Sequence, residues 1–157
     1  MSRTFDLASR KMIRHFPIAP QSEGIAVTPD GAEIWVGSNA QGTVTVIDTK
    51  SGSVVTTLTG FSVPYRLGSS PDGKTIVVCD PEAGRIAIID RATRKVTGEI
   101  AGLASPRGVM VAEDNRTALV TLGEESAVAI VDIIDRTVLR KIGVGPSPDG
   151  VAVRLGR

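Results

Sequence analysis

Cysteine and histidine are almost missing from this sequence: Cys79 and His15 are the only examples among its 157 residues. A single cysteine excludes an intrachain disulfide and a metal site built from thiolates. Because Cys79 stands in an apolar stretch, we expect a small buried residue and not a nucleophile. His15 would have to serve in any Ser-His-Asp triad, yet it falls in a predicted outer strand. We therefore expect no catalytic residue set, no metal site and no cofactor.

Enzyme motifs and an excess of one charge are also absent. The patterns GxGxxG, GxxxxGK[ST], HExxH and GxSxG do not occur. Lys and Arg number 18 against 17 Asp and Glu, with no basic block, so nucleic acid is not expected as a partner. No apolar run approaches the roughly 20 residues of a membrane span. Residues 1–16 are too charged for a secretory signal, so no signal peptide is predicted in this chain.

Turn-forming residues, by contrast, are abundant. The chain contains 17 glycines and nine prolines, which favours many short strands over a few helices. Apolar residues make up 41% of the sequence, enough for a packed core in a single domain.

One aspartate recurs every 42 residues, as Asp6, Asp48, Asp90 and Asp132. Each of the last three ends an apolar run, and its carboxylate is predicted to accept N–H bonds from the following turn. A ring of metal-binding carboxylates is the alternative, but each aspartate lies in a separate unit with no second carboxylate beside it. Other columns keep the same step: Asp30, Asp72 and Asp114; Gly24, Gly108 and Gly150; Val36, Val78 and Val120; Val46, Ile88 and Ile130.

Each 42-residue unit divides into four predicted strands. In the second unit they cover residues 66–70, 75–80, 85–90 and 95–100, with turns rich in Pro, Asp and Gly between them. In the first of these turns, SPDGK, we expect Gly73 to adopt a positive φ. The third unit has Asn115 there, the next most tolerant residue.

Four-stranded units of this length pack side by side in a β-propeller, because each sheet buries a face against its neighbour. The predicted fold class is all-β, a β-propeller segment of about 3.7 four-stranded antiparallel blades within residues 1–157. Residues 1–20 supply the third and fourth strands of a split blade. Full repeats cover 21–62, 63–104 and 105–146, and 147–157 begin the next blade with a first strand at 150–155.

Several segments resemble the YVTN family of β-propeller repeats. EGIAVTPDG (residues 23–31) and VTVIDT (residues 44–49) are close to the family pattern, and WVGS (residues 35–38) stands at its name-giving tetrapeptide. The other units have VVCD and LVTL at that place. The resemblance implies a bacterial protein of the periplasm or the extracellular space. It is specific for the β-propeller fold and unspecific for activity.

A propeller of about 3.7 units does not close, since closure needs at least about four blades. We expect either that the chain is a fragment of a longer protein or that a second copy of itself completes the ring. Two copies would supply near 7.5 units, which fits neither seven nor eight blades cleanly. An open propeller would expose an apolar face and unpaired strand edges.

The predicted binding site lies at the mouth of the central channel, where the inner strands begin. One repeat column there holds Glu23, Tyr65, Arg107 and Asp149, and Arg66 stands in the next column, which is otherwise glycine. Apolar columns repeat between units, whereas this column varies from acid to phenol to base. Arg66 and Arg107 would suit an anionic group. The alternative is a set of solvated loop residues without a binding role.

Two functions follow as hypotheses. The first is a non-enzymatic binding or scaffold module from an exported bacterial protein, with a protein or a small anionic ligand as its partner. The second is part of an enzyme's propeller, because the resembled superfamily includes lactonases, amine dehydrogenase heavy chains and the haem-d domain of nitrite reductases. Such enzymes draw on channel-lining histidines, carboxylates or partner cofactors. Here the only histidine is misplaced and no haem ligand is evident, which favours the first hypothesis.

Overall fold

The computed structural model describes residues 2–152, with the side chains of residues 4–152. Within that range the chain forms strands and turns and contains no helix, in agreement with the predicted all-β class. The strands are β1 (Ser2–Asp6), β2 (Lys11–Phe16), β3 (Ser22–Val27), β4 (Glu33–Ser38), β5 (Thr43–Asp48), β6 (Val54–Leu58), β7 (Arg66–Ser69), β8 (Thr75–Asp80), β9 (Arg85–Asp90), β10 (Lys95–Ala101), β11 (Pro106–Val111), β12 (Thr117–Leu122), β13 (Ala127–Asp132) and β14 (Thr137–Gly143).

These strands form antiparallel sheets that follow one another in chain order. Sheet A contains β1 and β2, sheet B β3 to β6, sheet C β7 to β10 and sheet D β11 to β14. Each strand pairs with its neighbour in sequence, so sheets B, C and D are four-stranded meanders. The strands of sheet C begin and end within one residue of the bounds predicted for the second unit. The four-stranded unit predicted from the repeat is confirmed.

The turn between the first two strands of each full sheet is left-handed at one matching position. Gly31, Gly73 and Asn115 have φ angles of 68°, 70° and 58°. Asp72 stabilises its turn by accepting the Lys74 N–H at 3.0 Å. The predicted roles of glycine and asparagine in this turn are therefore correct.

The recurring aspartate at the end of each third strand accepts hydrogen bonds from the turn that follows it. These bonds join Asp48 to the Ser51 N–H, Asp90 to the Thr93 N–H and Asp132 to the Asp135 N–H, at 2.6, 2.7 and 2.9 Å. The pKa of all three carboxyls is lowered because hydrogen bonds favour the charged form: chiefly the Thr93 hydroxyl bond for Asp90, and the N–H bonds for Asp48 and Asp132. The local interpretation of this aspartate is confirmed.

The sheets converge at their first strands. β3 packs against β7 and β7 against β11, whereas the fourth strands β6, β10 and β14 make no comparable contact with one another within the described range. Sheets that touch at one edge and separate at the other are arranged radially around a shared axis. This is the arrangement of propeller blades.

Apolar side chains fill the space between neighbouring sheets. The core between sheets B and C includes Trp35, Val44, Val46, Ile76, Val78 and Ile89, and the core between sheets C and D includes Val77, Cys79, Ile86, Val120, Ala129 and Val131. Alternate residues of β8 thus point to opposite neighbours, as the period of a strand requires. Burying a side chain of this size contributes roughly 1.5–3 kcal/mol, so the interfaces between sheets hold the fold together.

Each outer strand carries a β-bulge at the same repeat position. The extra residues are Ile13 in β2, Val55 in β6, Thr97 in β10 and Leu139 in β14, which are 42 residues apart. Bulges increase the local twist and bend the strand. The 42-residue repeat therefore includes these bulges, which the sequence did not predict.

The last predicted strand, at residues 150–155, is not established. Residues 150–152 are not in a strand, and the remainder of that segment lies outside the described residues.

Cys79 is fully buried in the core, as predicted, and burial raises the pKa of its thiol. His15 is exposed on the outer strand β2.

Candidate functional site

The predicted site residues lie together at one end of the sheets, which we call the rim. Glu23 lies in β3, Tyr65 directly precedes β7, Arg66 begins that strand, and Arg107 lies in β11. Asp149 follows sheet D, and its carbonyl oxygen accepts a hydrogen bond from Thr121 at 2.8 Å, which holds it beside β12. The first strands converge, so these side chains meet although they are up to 126 residues apart in sequence.

Arg66 reaches across the rim to Asp149. The guanidinium Nη2 lies 3.2 Å from the Asp149 carboxylate, and this contact raises the pKa of the arginine further. Arg66 belongs to sheet C and Asp149 follows sheet D, so the ion pair joins the start of sheet C to the segment after sheet D. Both side chains are about two-fifths exposed, and a pair this open contributes little to stability. The carboxylate of Asp149 nevertheless compensates the positive charge of Arg66.

Tyr65 connects this ion pair to an acidic part of the rim. The Arg66 guanidinium lies over the Tyr65 ring at 5.1 Å from its centre, a cation–π contact. Burial raises the pKa of the Tyr65 hydroxyl, and the nearby carboxylate of Glu23 raises it further. Glu23 also accepts a hydrogen bond from the Asn39 side-chain amide at 3.1 Å. Sheets B and C therefore share one polar surface at the rim.

Two glycines of sheet B let the segment before β7 approach so closely. A Cβ atom at Gly24 would lie 2.3 Å from the Tyr65 carbonyl oxygen, and one at Gly37 would lie 2.1 Å from the Pro64 carbonyl oxygen. From the other side, the buried Asp80 carboxylate accepts the Val63 N–H at 2.8 Å. The position of Tyr65 is thus fixed by backbone contacts on both sides.

Arg107 differs from Arg66 because it forms no ion pair with any described residue. Its Nε donates to the Ser105 hydroxyl at 3.3 Å, and its guanidinium lies over Gly123, where a Cβ atom would come within 2.5 Å of Nε. Together with Tyr65 and Asn39 it lines a cavity of about 320 Å³ that also borders Glu82. Arg107 therefore brings a positive charge to a cavity that it lines together with the carboxylate of Glu82.

Some polar atoms of the rim are buried without a hydrogen-bond partner among the described residues. They are Asn39 Oδ1, Arg66 Nε and Asp149 Oδ1. Buried polar atoms are usually paired, and unpaired ones mark places where a ligand or water would be stabilised. Asn39 and Gly123 were not among the site residues predicted from the sequence. Their repeat column, Asn39, Pro81 and Gly123, varies as strongly as the column of Arg107, and that signal could have identified them.

A second charged cluster lies between sheets B and C, at the end opposite the rim. Glu33 is largely buried and accepts hydrogen bonds from Arg91 at 2.9 Å, from Trp35 at 3.1 Å and from Arg94. Burial disfavours its charged form, but these hydrogen bonds outweigh that effect and lower the pKa of Glu33. Arg91 also pairs with Asp30 at 2.9 Å. Its charges compensate one another, and the cluster joins the two sheets.

Among residues 2–152 no group of three or more His, Cys, Asp or Glu side chains is arranged to hold a metal ion. Within that same range there is no helix long and apolar enough to cross a membrane. The rim itself consists of arginine, tyrosine, amide and carboxylate groups, which can bind by charge and hydrogen bonding.

Comparison with solved structures places this geometry among known folds. One similar structure is hydrazine synthase of Kuenenia stuttgartiensis, with a TM-score of 0.79 and 21% identity over 88% of this chain and 40% of that one. Another is U3-55K, with a TM-score of 0.73 and 14% identity over 83% of this chain and 42% of that one. The chain has a β-propeller fold. At these identities the likeness concerns the fold alone, and this chain spans less than half the length of either structure.

No protein-family model and no curated protein sequence matches the chain. The YVTN resemblance therefore remains a prediction from the sequence. What this propeller segment binds must be argued from its own rim.

Proposed function

We propose that the chain is a non-enzymatic β-propeller binding module whose rim binds a small anion at Arg107. The observation that carries the proposal is an arginine without a carboxylate partner, next to a cavity of about 320 Å³. A guanidinium presents several N–H donors in a fixed fork, which matches the oxygens of a carboxylate or phosphate group.

The surrounding residues support a small and singly anionic group. Asp149 already compensates Arg66, so Arg107 supplies the positive charge. Glu82 lines the same cavity and Glu23 lies beside Tyr65, and both would repel a second negative charge on the ligand. The Tyr65 hydroxyl and the Asn39 amide offer neutral hydrogen bonds to the remainder of the molecule. A small carboxylate with a polar body satisfies these conditions.

Isothermal titration calorimetry of the purified chain with a panel of small carboxylates and phosphates tests the proposal. Arg107→Ala should weaken binding of the best ligand at least about tenfold, since a hydrogen bond to a charged group is worth roughly 1.5–3 kcal/mol. Gly123→Ala should weaken it as well without changing stability, because the new methyl displaces the flexible guanidinium. Arg140→Ala, which alters an exposed arginine on the outer strand β14, is the matched control.

Equal affinity in Arg107→Ala and Arg140→Ala would contradict the proposal, and so would a panel in which nothing binds.

The sequence motifs further support a bacterial protein acting in the periplasm or outside the cell. Fractionation of cells that express the native gene would test that location.

A further inference from the structure

The cavity of about 320 Å³ at the rim is lined by groups of both charges. Among the described residues that line it, Arg107 is the one cation and Glu82 is the one anion. The two side chains form no ion pair with each other, and neither forms one with another residue in the range 4–152. A ligand with a charge at each end can use both of them, because its charges complement those of the cavity.

Glu82 stands on a turn whose backbone is held in place. The turn follows β8, and the Gly84 N–H donates to the Pro81 carbonyl oxygen at 3.2 Å. The Gly84 carbonyl oxygen accepts the Leu103 N–H at 2.9 Å, which ties the turn to the segment after β10. The Glu82 side chain itself is exposed and accepts no hydrogen bond from a described residue. Its carboxylate can therefore bind a ligand without a rearrangement of the backbone.

Asn39 adds a hydrogen-bond acceptor to the same cavity. Its amide nitrogen donates to the Glu23 carboxylate at 3.1 Å, and this bond fixes the orientation of the amide. The amide oxygen Oδ1 is buried and has no partner among the described residues. A carboxylate or phosphate group has no hydrogen to donate to this oxygen, whereas an ammonium group has three. The presence of Glu82 and Asn39 in one cavity therefore favours a ligand with a cationic donor.

We propose that the rim binds a small zwitterionic amino acid, whose carboxylate binds Arg107 and whose ammonium group binds Glu82 and the Asn39 oxygen. The inference rests on the proposed anion site at Arg107 and names the class of carboxylate that this site takes. The cavity is near the lower end of the range of roughly 300–1,000 Å³ for small-molecule pockets, which suits a short ligand. A plain carboxylate would bring a second negative charge beside Glu82, so the same residue selects against it.

Matched ligands separate the contribution of the ammonium group from that of the carboxylate. Glycine, β-alanine, γ-aminobutyrate and δ-aminovalerate place the two charges at increasing distances. Each is compared with the alkanoate and the hydroxy acid of the same chain length by isothermal titration calorimetry of the purified chain at pH 7. We expect the best amino acid to bind about fivefold more tightly than both analogues, since a hydrogen bond between charged groups is strong but the exposure of Glu82 limits the gain.

Variants assign each end of the ligand to a residue. Glu82→Gln keeps the size of the side chain and removes its charge. It should reduce the preference for the amino acid over its alkanoate at least about threefold, without weakening the alkanoate. Arg107→Ala should weaken the amino acid and the alkanoate alike, because both present a carboxylate. Glu113→Gln is the matched control, since this exposed glutamate follows β11 at the end opposite the rim, and it should leave both affinities unchanged.

Amino acids that bind no more tightly than their alkanoates and hydroxy acids, at every chain length, would overturn the inference. The anion site would still stand in that case if the alkanoates lost affinity in Arg107→Ala. A preference for the amino acid that Glu82→Gln leaves intact would also overturn the inference, because the ammonium group would then bind elsewhere. If no carboxylate of any class binds, the anion site and the zwitterion are refuted together.

Discussion

Asn115 occupies the turn position that is glycine in the other two full units. It holds a φ of 58°, where Gly31 and Gly73 hold similar angles in the other units. Its side-chain oxygen also accepts the Asp72 N–H at 2.8 Å, which ties the turns of sheets C and D together. Asparagine thus combines tolerance of a left-handed backbone with a contact that glycine cannot make.

Replacing Asn115 separates these two contributions. Asn115→Ala should destabilise the protein by about 2 kcal/mol, from backbone strain and one lost hydrogen bond. Asn115→Gly should cost only about 1 kcal/mol, because it loses the hydrogen bond without the strain. Urea unfolding monitored by circular dichroism measures both values. Equal losses in the two variants would show that the left-handed angle is not a source of strain.

At the scale of elements, the Glu33 cluster joins sheets B and C. We expect Glu33→Gln to destabilise the protein by about 2 kcal/mol, because Arg91 and Arg94 lose their common carboxylate. This is less than the 3–5 kcal/mol of a fully buried pair, since both arginines keep some exposure. Asp135→Asn removes an exposed partner of Arg116 and should leave the free energy of unfolding nearly unchanged, because solvent screens an exposed pair.

The same prediction has a pH dependence with a defined sign. The pKa of Glu33 in the folded protein lies below its ordinary value of 4.5. Its contribution is therefore present in full above pH 4.5 and is lost as the pH falls through the folded-state pKa. The difference in unfolding free energy between wild type and Glu33→Gln should narrow below pH 4.5. Urea unfolding at pH 7 and at pH 3.5 measures it, and a constant difference would be contrary to this account.

Strands and turns were predictable from the sequence, because each is determined by residues close together along the chain. The strands of sheet C lie within one residue of their predicted bounds, and the left-handed turn at Gly73 was anticipated. The bulges in the outer strands were not anticipated. A bulge depends on the register between two strands, and Val55 and Leu139 look in sequence like ordinary strand residues.

Contacts between sheets were predictable only where the residues involved share one column of the repeat. The rim residues were expected to meet because one repeat column places them all at the start of the inner strands. The pairing of Glu33 with Arg91 and Arg94 was missed, since 58 and 61 residues separate the partners. A signal was present, however. Glu33 replaces the threonine of the other units, and Arg91 aligns with Thr49 and Ile133.

At the scale of the whole molecule, sheet C is covered on both faces and sheet A on one. Most residues of β8 and β9 are buried, whereas β2 is exposed except for Phe16. Local opening is easiest where few apolar contacts must break. We expect backbone amides of β8 and β9 to exchange with deuterium most slowly and those of β1, β2 and β14 most rapidly. Hydrogen exchange with mass spectrometry checks the order, and equal protection of β2 and β9 would contradict it.

The bulges of the outer strands have a consequence for the colloidal behaviour of the protein. A flat, regular outermost strand would act as a template on which other molecules could add strands and grow into fibrils. The extra residue in β6, β10 and β14 kinks the perimeter at the same height on each full sheet and disturbs that template. The same kink recurs every 42 residues, so each full sheet has the same obstacle to strand addition along its outer edge.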